Sequence, residues 1–309
     1  MKPDPLLPIA SITEGDLRLM RIFRVVAEAG GLTAAEGRLG MERSTISRHI
    51  KALEDRLGAS LCHRGPAGFA LTELGRAVMH AAIAASDTLD QVRDELNLAR
   101  GVMTGSVAIG LADNCLTNPD ARIADALAAF RAEAPGVALQ ITVRPPAELL
   151  SELMARHLNL CIVGRPLQAD RLTLQALFDE EFRLYVGAGP MAPALDALPS
   201  LGYGLVSRAG DYHTRALAGR FGLAATATAS GLEALATFVA TGRFAGFLPT
   251  HYAASLATRH ALVEVAGADR FRYRAEFFLV QETRRPLSAQ GRLLARRLAA
   301  AHGSAPPAG

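Results

Sequence analysis

The chain has 309 residues, half of them hydrophobic and 20% charged, which is typical of a globular protein with two or three domains. No apolar run reaches the roughly 18 residues that a membrane-spanning helix needs. The first 13 residues contain prolines and an aspartate where a signal peptide has an unbroken apolar core, so we expect a cytoplasmic protein. The three cysteines are far apart and odd in number, so they predict neither a disulfide framework nor a zinc-ligand spacing. The net charge of +3 permits a nucleic-acid partner without arguing for one.

After a proline-rich start (1–13) that we expect to be disordered, the chain predicts three short helices. The first begins near Asp16 and stops at Gly30-Gly31. Thr33 and Glu36 have the spacing of a capping box, so the Thr33 hydroxyl is predicted to cap a second helix. The third helix covers 42–58 and is closed by a glycine. Its buried side is predicted to hold Ile46, Ile50, Leu53 and Leu57.

The opposite side of the third helix carries short hydroxyl and cationic side chains. These are Ser44, Thr45, Ser47, Arg48 and Lys51. Between 43 and 64 five cations stand against two acids, a local net charge of +3 within 22 residues. Short hydroxyls let a backbone approach closely, and an arginine can bind guanine or a phosphate. The pattern favours a nucleic-acid-binding face over the alternative of a solvated helix in an ordinary bundle.

Residues 61–72 predict a hairpin, with Gly65-Pro66-Ala67-Gly68 as its turn. Thr72 is predicted to cap a long helix from 73 to about 100, roughly 42 Å in length. One apolar seam runs along this helix, formed by Leu74, Val78, Ala81, Ala85, Leu89, Val92, Leu96 and Ala99. A seam of this length has to be buried, and a second copy of the chain is favoured over packing on its own domain.

Three helices and a hairpin in this order predict a winged helix-turn-helix over 14–72. The segments TAAEGRLG and STISRHIKALEDRLG, the hairpin and the glycine at 75 together resemble the N-terminal domain of LysR-type transcriptional regulators. The predicted DNA contacts are Thr33, Arg43, Ser44, Thr45, Ser47, Arg48, Lys51 and Arg64. Glu42, Cys62-His63 and Arg243 depart from residues common in that family.

After Gly101 buried strands alternate with helices, which predicts parallel α/β layers. The resemblance implies an effector-binding domain over 102–302, of the periplasmic-binding-protein type, followed by a loose tail (303–309). Its lobe I is expected at about 102–178 and 277–302, and its lobe II at about 179–276. The whole chain is thus expected to be an α+β multidomain protein: a winged helix-turn-helix, a linker helix (73–101) and a two-lobed α/β domain.

Ligands of α/β sheets bind beyond strand C-termini, beside helix N-termini. Polar residues at such places are Asn114, Thr117, Arg144, Ser207, Arg208 and Ser230. The arginines favour a carboxylate effector, an expectation that depends mainly on the resemblance. Because Cys115 is expected near the cleft, a redox-sensing role remains an alternative. Such a role needs a second, resolving cysteine, and Cys161 looks like a buried strand residue that would serve poorly.

An enzyme is the competing class, because similar two-lobed scaffolds host catalysts. The chain has no G-x-S-x-G, no phosphate-binding glycine loop and no metal-spaced cluster, and His213 has no identifiable acid partner. We therefore predict a sequence-specific DNA-binding regulator with no catalytic residue, metal or cofactor. Double-stranded DNA, a small-molecule effector and further copies of the chain, as a dimer or tetramer, are the expected partners. Contact with RNA polymerase is left open.

Overall fold

In the computed structural model the chain divides into two units, Met1–Ala99 and Arg100–Gly309. The structure describes residues 9, 11–65, 68–166, 168–187, 192–208 and 212–303. The predicted disorder of 1–8, 10 and 304–309 lies outside these ranges. Within them no helix is both long enough and apolar enough to cross a membrane.

The N-terminal unit has the predicted order of three helices, a hairpin and a long helix. The elements are α1 (Glu14–Glu28), α2 (Leu32–Leu39), α3 (Arg43–Leu57), β1 (Cys62–Gly65), β2 (Gly68–Leu71) and α4 (Glu73–Ala99). Gly58 ends α3 in the left-handed conformation at φ 73°, which confirms its predicted role. The strands of the hairpin pair antiparallel, from Cys62 opposite Leu71 to Gly65 opposite Gly68.

The helix caps differ from the prediction in two places. The capping box belongs to α1: Thr13 Oγ1 accepts from the Asp16 backbone at 3.2 Å, and Asp16 Oδ2 accepts from the Thr13 backbone at 2.8 Å. The hydrogen bonds that the Asp16 carboxylate accepts from the backbone and the hydroxyl of Thr13, together with the charge of Arg56, lower the pKa of Asp16. The predicted box at Thr33 is wrong, because Gly31 is the N-cap of α2 and has no side chain to cap with. Leu32, the first residue of that helix, is buried.

The three helices enclose a core that also receives the start of α4. Ile46, Ile50 and Leu53 are buried as predicted, together with Phe23 of α1. Val78 lies in this core and Leu74 packs against it, so the first turns of the seam are used within the chain's own domain. Leu89, Val92 and Leu96 further along are 60%, 48% and 63% exposed.

The junction between the hairpin and α4 has no room for a side chain at Gly75. Thr72 caps α4 as predicted, with its Oγ1 accepting from the Gly75 backbone at 2.9 Å. The Thr72 backbone donates to the Leu61 carbonyl oxygen at 3.0 Å. A Cβ on Gly75 would lie 1.9 Å from that same oxygen. The glycine therefore allows α4 to cross the entry of the hairpin.

The C-terminal unit is a mixed sheet covered by helices. Its elements are β3 (Gly105–Leu111), α5 (Ile123–Glu133), β4 (Val137–Val143), α6 (Pro146–Met154), β5 (Leu160–Gly164), β6 (Leu172–Gly187), β7 (Gly204–Arg208), α7 (Tyr212–Phe221), β8 (Ala225–Ala229), α8 (Leu232–Ala240), β9 (Phe244–Pro249), α9 (Thr250–Leu256), β10 (Leu262–Glu264), β11 (Tyr273–Glu282) and α10 (Ala289–Ala301). The strand order is β4-β3-β5-β11-β6-β9-β7-β8, with β10 paired to β6.

Two parallel groups of strands meet at an antiparallel pair. β3 pairs parallel with β4 and β5, and β7 pairs parallel with β8 and β9. β6 and β11 run antiparallel to each other and to their outer neighbours, so the predicted parallel layers lie on either side of an antiparallel pair. We call β6 and β11 the crossing strands, because both contribute residues to both cores. One buried core holds residues from 107–178 and 277–298, and a second holds residues from 182–268.

Replacing Gly75 by alanine should destabilise the N-terminal unit. The new methyl group would overlap the Leu61 carbonyl, so we expect the free energy of unfolding to fall by about 2 kcal/mol or more. Gly37→Ala is the matched control, because a Cβ there meets nothing within 4 Å in α2, and alanine should stabilise the helix by roughly 1 kcal/mol. Calorimetric unfolding of the full chain measures both. Equal stability of the two variants would contradict the contact at Gly75.

Candidate DNA-binding surface and effector cleft

The predicted DNA-facing side of α3 lies on the surface. Arg43, Ser44, Arg48 and Lys51 are exposed, whereas Thr45 and Ser47 are half-buried. The Arg48 guanidinium donates to Thr45 Oγ1 at 3.2 Å, and Lys51 pairs with Asp55 at 3.3 Å. Exposed pairs of this kind contribute little to stability, so both cations remain available to another charged group.

Glu36 supports this surface from the neighbouring helix, a role the sequence analysis missed. Its Oε1 accepts from the backbone N–H of Arg43, the first residue of α3, at 2.6 Å. The Glu42 side chain makes no capping hydrogen bond although Glu42 is the N-cap residue. Thr33 is exposed on α2, and the side chain of Arg64 lies outside the described part of the structure.

Arg56 does not belong to the cationic surface. Its guanidinium pairs with Asp16 at 3.4 Å and donates to the Ser11 carbonyl at 3.1 Å. One of the five cations that give the segment its local charge therefore holds α3 to the start of α1.

A cavity of about 430 Å³ in the C-terminal unit is lined by residues from both cores. The two crossing strands form its floor. Phe182 stacks on Tyr273 with ring centroids 4.7 Å apart, and Phe178 stacks on Phe277 at 5.0 Å. The register places Glu180 opposite Ala275, midway between these two aromatic pairs.

Basic side chains approach the same floor from the other elements. The Arg208 guanidinium, at the end of β7, lies 5.3 Å from the ring centroid of Phe182. Its Nε has no hydrogen-bond partner among the described residues. His213 of α7 stacks on Tyr273 with ring centroids 3.6 Å apart. Arg144, an exposed residue after β4, also lines the cavity.

A carboxylate from the first core reaches a helix of the second. The Leu232 backbone N–H, at the start of α8, donates to Asp113 Oδ2 at 3.3 Å. Asp113 follows β3, and its Oδ2 would lie 2.6 Å from a Cβ on Gly231. An internal carboxylate thus already occupies the positive end of the α8 dipole.

A second polar connection joins the two cores at His251. Its Nδ1 lies 2.9 Å from Thr117 Oγ1, and its Nε2 lies 3.2 Å from Glu180 Oε1. His251 belongs to α9, Thr117 follows β3 and Glu180 lies on β6. The three side chains therefore tie together segments of both cores and one crossing strand.

The structure brings half of the predicted effector residues to the cavity. Arg144, Arg208 and Ser230 line it. Asn114, Thr117 and Ser207 are not among its lining residues; Asn114 has a left-handed backbone at φ 61°. The cavity is also lined by Asp113, Glu180, Tyr212 and Tyr273, which the sequence did not predict, and by His213, which it suggested only as a catalytic candidate.

Glu180 had a signal in the sequence. It takes one position of an alternation of buried residues in β6 whose next members, Phe182, Leu184 and Val186, are all apolar. An acid in a buried position of a strand calls for a specific partner.

The cysteines show no sign of a redox pair. Cys62, Cys115 and Cys161 are all buried. Burial raises the pKa of Cys115 to about 12, with Glu180 and Asp113 adding to the effect, and burial alone raises that of Cys161 to about 12. Within the described ranges no group of three or more His, Cys, Asp or Glu side chains could hold a metal ion.

A winged helix-turn-helix joined to a two-lobed domain with a cavity between its cores defines a ligand-responsive DNA-binding regulator. Residues 17–76 match the family model described as "Bacterial regulatory helix-turn-helix protein, lysR family", and residues 101–303 match "LysR substrate binding domain". The chain belongs to the LysR family of transcriptional regulators.

Relatives and solved structures agree with this assignment. The HTH-type transcriptional activator BauR of Pseudomonas aeruginosa is 34% identical over 293 residues, covering 90% of this chain and 93% of BauR. Full-length CbnR complexed with its target DNA has a TM-score of 0.62 at 18% identity, covering 92% of this chain and 99% of that one. Full-length LysG of Corynebacterium glutamicum with bound effector Arg has a TM-score of 0.60 at 16% identity, covering 93% and 97%. At such identities these structures show the fold.

The buried thiols should resist modification in the native protein. With a pKa of about 12, the thiolate fraction of Cys115 and Cys161 at pH 8 is about a thousandfold below that of a thiol at 9.0. We expect a colorimetric disulfide reagent to react with these two cysteines no faster than the protein unfolds. The same reagent in concentrated guanidinium chloride counts all three thiols and serves as the control. Rapid loss of either thiol under native conditions would contradict their burial.

Proposed function

We propose that this regulator binds operator DNA through the exposed side of α3, which enters the major groove. The proposed contacts are Thr33, Arg43, Ser44, Thr45, Ser47, Arg48, Lys51 and Arg64. The observation that carries the proposal is the exposure of Arg43, Ser44, Arg48 and Lys51 on a helix whose other side is fully buried. Arg48 and the hydroxyls beside it would meet base edges, and Lys51 a phosphate.

A small carboxylate effector would bind in the cavity between the two cores. A volume of about 430 Å³ suits a small molecule, and Arg144 and Arg208 supply groups that bind carboxylates. The proposed lobe I covers about 102–178 and 277–302, and the proposed lobe II covers about 179–276. Asn114, Thr117, Ser207 and Ser230 remain proposed hydrogen-bond donors.

An effector would act by changing the angle between the lobes. Ligands shift a conformational equilibrium only through different affinities for its states. The Asp113–Leu232 and Thr117–His251 contacts join segments of the two cores, so a ligand that competes with or adds to them would favour one angle. The arrangement of the oligomer on DNA would change with the angle between the lobes.

The exposed half of α4 would pair with a second copy of the chain, giving a dimer or a tetramer. Leu89, Val92 and Leu96 share one face of a helix of 27 residues, about 40 Å long. The proposed seam also includes Ala81, Ala85 and Ala99. Leu74 and Val78, which pack in their own domain, would contribute at most its beginning.

We further propose that the protein is not an enzyme and acts in the cytoplasm, where its DNA partner lies. His213 would be the candidate catalytic residue of an enzyme, and its ring is stacked on that of Tyr273 with centroids 3.6 Å apart. A regulator needs affinity and conformational response from this cleft, and no metal or cofactor.

Arg48→Ala should weaken binding to the operator by about tenfold to a hundredfold, because one charged base or phosphate contact is lost. The purified protein is titrated with its own upstream region and with a scrambled duplex at several salt concentrations. Arg215→Ala, which removes an exposed arginine from the C-terminal unit, is the control and should leave operator affinity within about twofold. Unchanged operator affinity in Arg48→Ala would reject the proposed recognition face.

Leu89→Asp should yield monomers, because burying an unpaired carboxylate in the seam costs more than the lost apolar contact. Leu98→Asp is the matched control: it lies nine residues further on, about 180° around the helix, and is 42% exposed. Light scattering measures the mass of each variant. An oligomer that survives in Leu89→Asp, or that dissociates equally in both variants, would reject the seam.

A further inference from the structure

Glu180 has a buried carboxylate of which only one oxygen is hydrogen-bonded among the described residues. It is 1% exposed, and its Oε1 is held by His251 Nε2 at 3.2 Å. Its Oε2 is buried and has no hydrogen-bond partner among the described residues. Glu180 and Ala275, the residue opposite on β11, both line the cavity. The Glu180 carboxylate therefore belongs to the wall of the ligand site.

Among the described residues, no arginine or lysine pairs with this carboxylate, and its ion-pair partner is His251, at 3.2 Å from the other oxygen. Arg208 lies over the ring of Phe182 and forms no ion pair with Glu180. Glu180 and Asp113 both raise the pKa of the buried Cys115 thiol, so the surroundings of Glu180 include a second acid. A buried carboxylate oxygen without a donor is costly, so a polar group from outside the chain is needed. An ammonium group, with three donors and a positive charge, satisfies it best.

A positive charge that can bind a ligand carboxylate lies beside the next residue on the same face of β6. Glu180 and Phe182 are neighbours on one face of β6, about 7 Å apart. Arg208, whose Nε is unpartnered, lies over Phe182. The N-terminus of α8, which could also attract an anion, is already bound by Asp113. A ligand carboxylate is thus directed to Arg208, with Arg144 beside it.

We infer that the effector is a small zwitterion whose ammonium group binds Glu180 Oε2 and whose carboxylate binds Arg208. The charged residues lining the cavity support this, because two arginines stand against two carboxylates. A molecule with negative charge alone leaves Glu180 Oε2 without a donor and faces both acids. The inference rests on the proposed effector role of the cavity and narrows its ligand from any carboxylate to an amino acid.

The test uses the full-length protein and calorimetric titration with matched molecules. The probes are the common α-amino acids and the unbranched amino acids from glycine to 6-aminohexanoate. Each zwitterion that binds is compared with the carboxylate lacking its amine and with the amine lacking its carboxylate. We expect at least one zwitterion to bind about tenfold or more tightly than both of its matched analogues, since each loses one charged contact.

Variants identify the group that recognises the amine. Glu180→Gln should weaken the zwitterion by about tenfold and change the matched carboxylate by less than about twofold. Arg208→Ala should weaken both molecules. Glu181→Gln is the control: it removes a charge from the next residue of β6, which pairs with Arg183 and does not line the cavity, and should leave affinity unchanged. Thermal unfolding checks that each variant is folded, and the matched-ligand comparison needs no variant.

The outcomes separate the inference from the proposed function. Carboxylates that bind as tightly as their zwitterions, with no effect of Glu180→Gln, would overturn the zwitterion while keeping the cavity as a carboxylate site. No binding by any amino acid would also overturn it. Binding that is unaffected by Arg208→Ala would reject the cavity as the effector site. Equal affinity for the operator and for the scrambled duplex, measured separately, would reject the proposed function as a sequence-specific regulator.

Discussion

The pairing of β6 with β11 is the constraint on which the C-terminal unit depends. These strands are hydrogen-bonded from Tyr273 opposite Phe182 to Glu282 opposite Leu172, and both cores are attached to them. The same two strands pass from one core to the other. Their shared face therefore packs into a core at each end and lines the ligand cavity in the middle. The aromatic pairs on either side of Glu180 suit both roles, since stacked rings serve equally as core and as cavity floor.

Local patterns made most of the N-terminal unit predictable. Helical spacing identified Ile46, Ile50 and Leu53 as buried, and glycine at 58 and threonine at 72 marked helix ends through backbone chemistry that acts within a few residues. The capping box at Thr33 failed because its spacing also occurs inside a helix, and α2 already begins at Leu32. Glu36 could not be assigned, since its partner Arg43 is seven residues away across a turn.

The site in the C-terminal unit was predictable only in part, because long-range pairing determines it. Strand ends predicted Arg144, Arg208 and Ser230 as effector residues; the three line the cavity, and their contact with an effector stays a prediction. Glu180 and Tyr273 were not predicted because they lie within strands and reach the cavity only through the antiparallel register of segments about 90 residues apart. Resemblance to a family supplied the two lobes, whereas the alternation of strands and helices indicated parallel layers and could not place the antiparallel pair between them.

The position of β11 and α10 has a consequence for how the protein is made. Both elements belong to the first core, in which Leu279, Leu294 and Leu298 are buried, yet they come last along the chain. The N-terminal unit is complete at Ala99 and can fold while the ribosome is still translating. The sensing half cannot close its first core until β11 and α10 have been translated. A chain cut short before these two elements would therefore carry a finished DNA-binding domain joined to an unfinished sensor, exposed to proteases and chaperones.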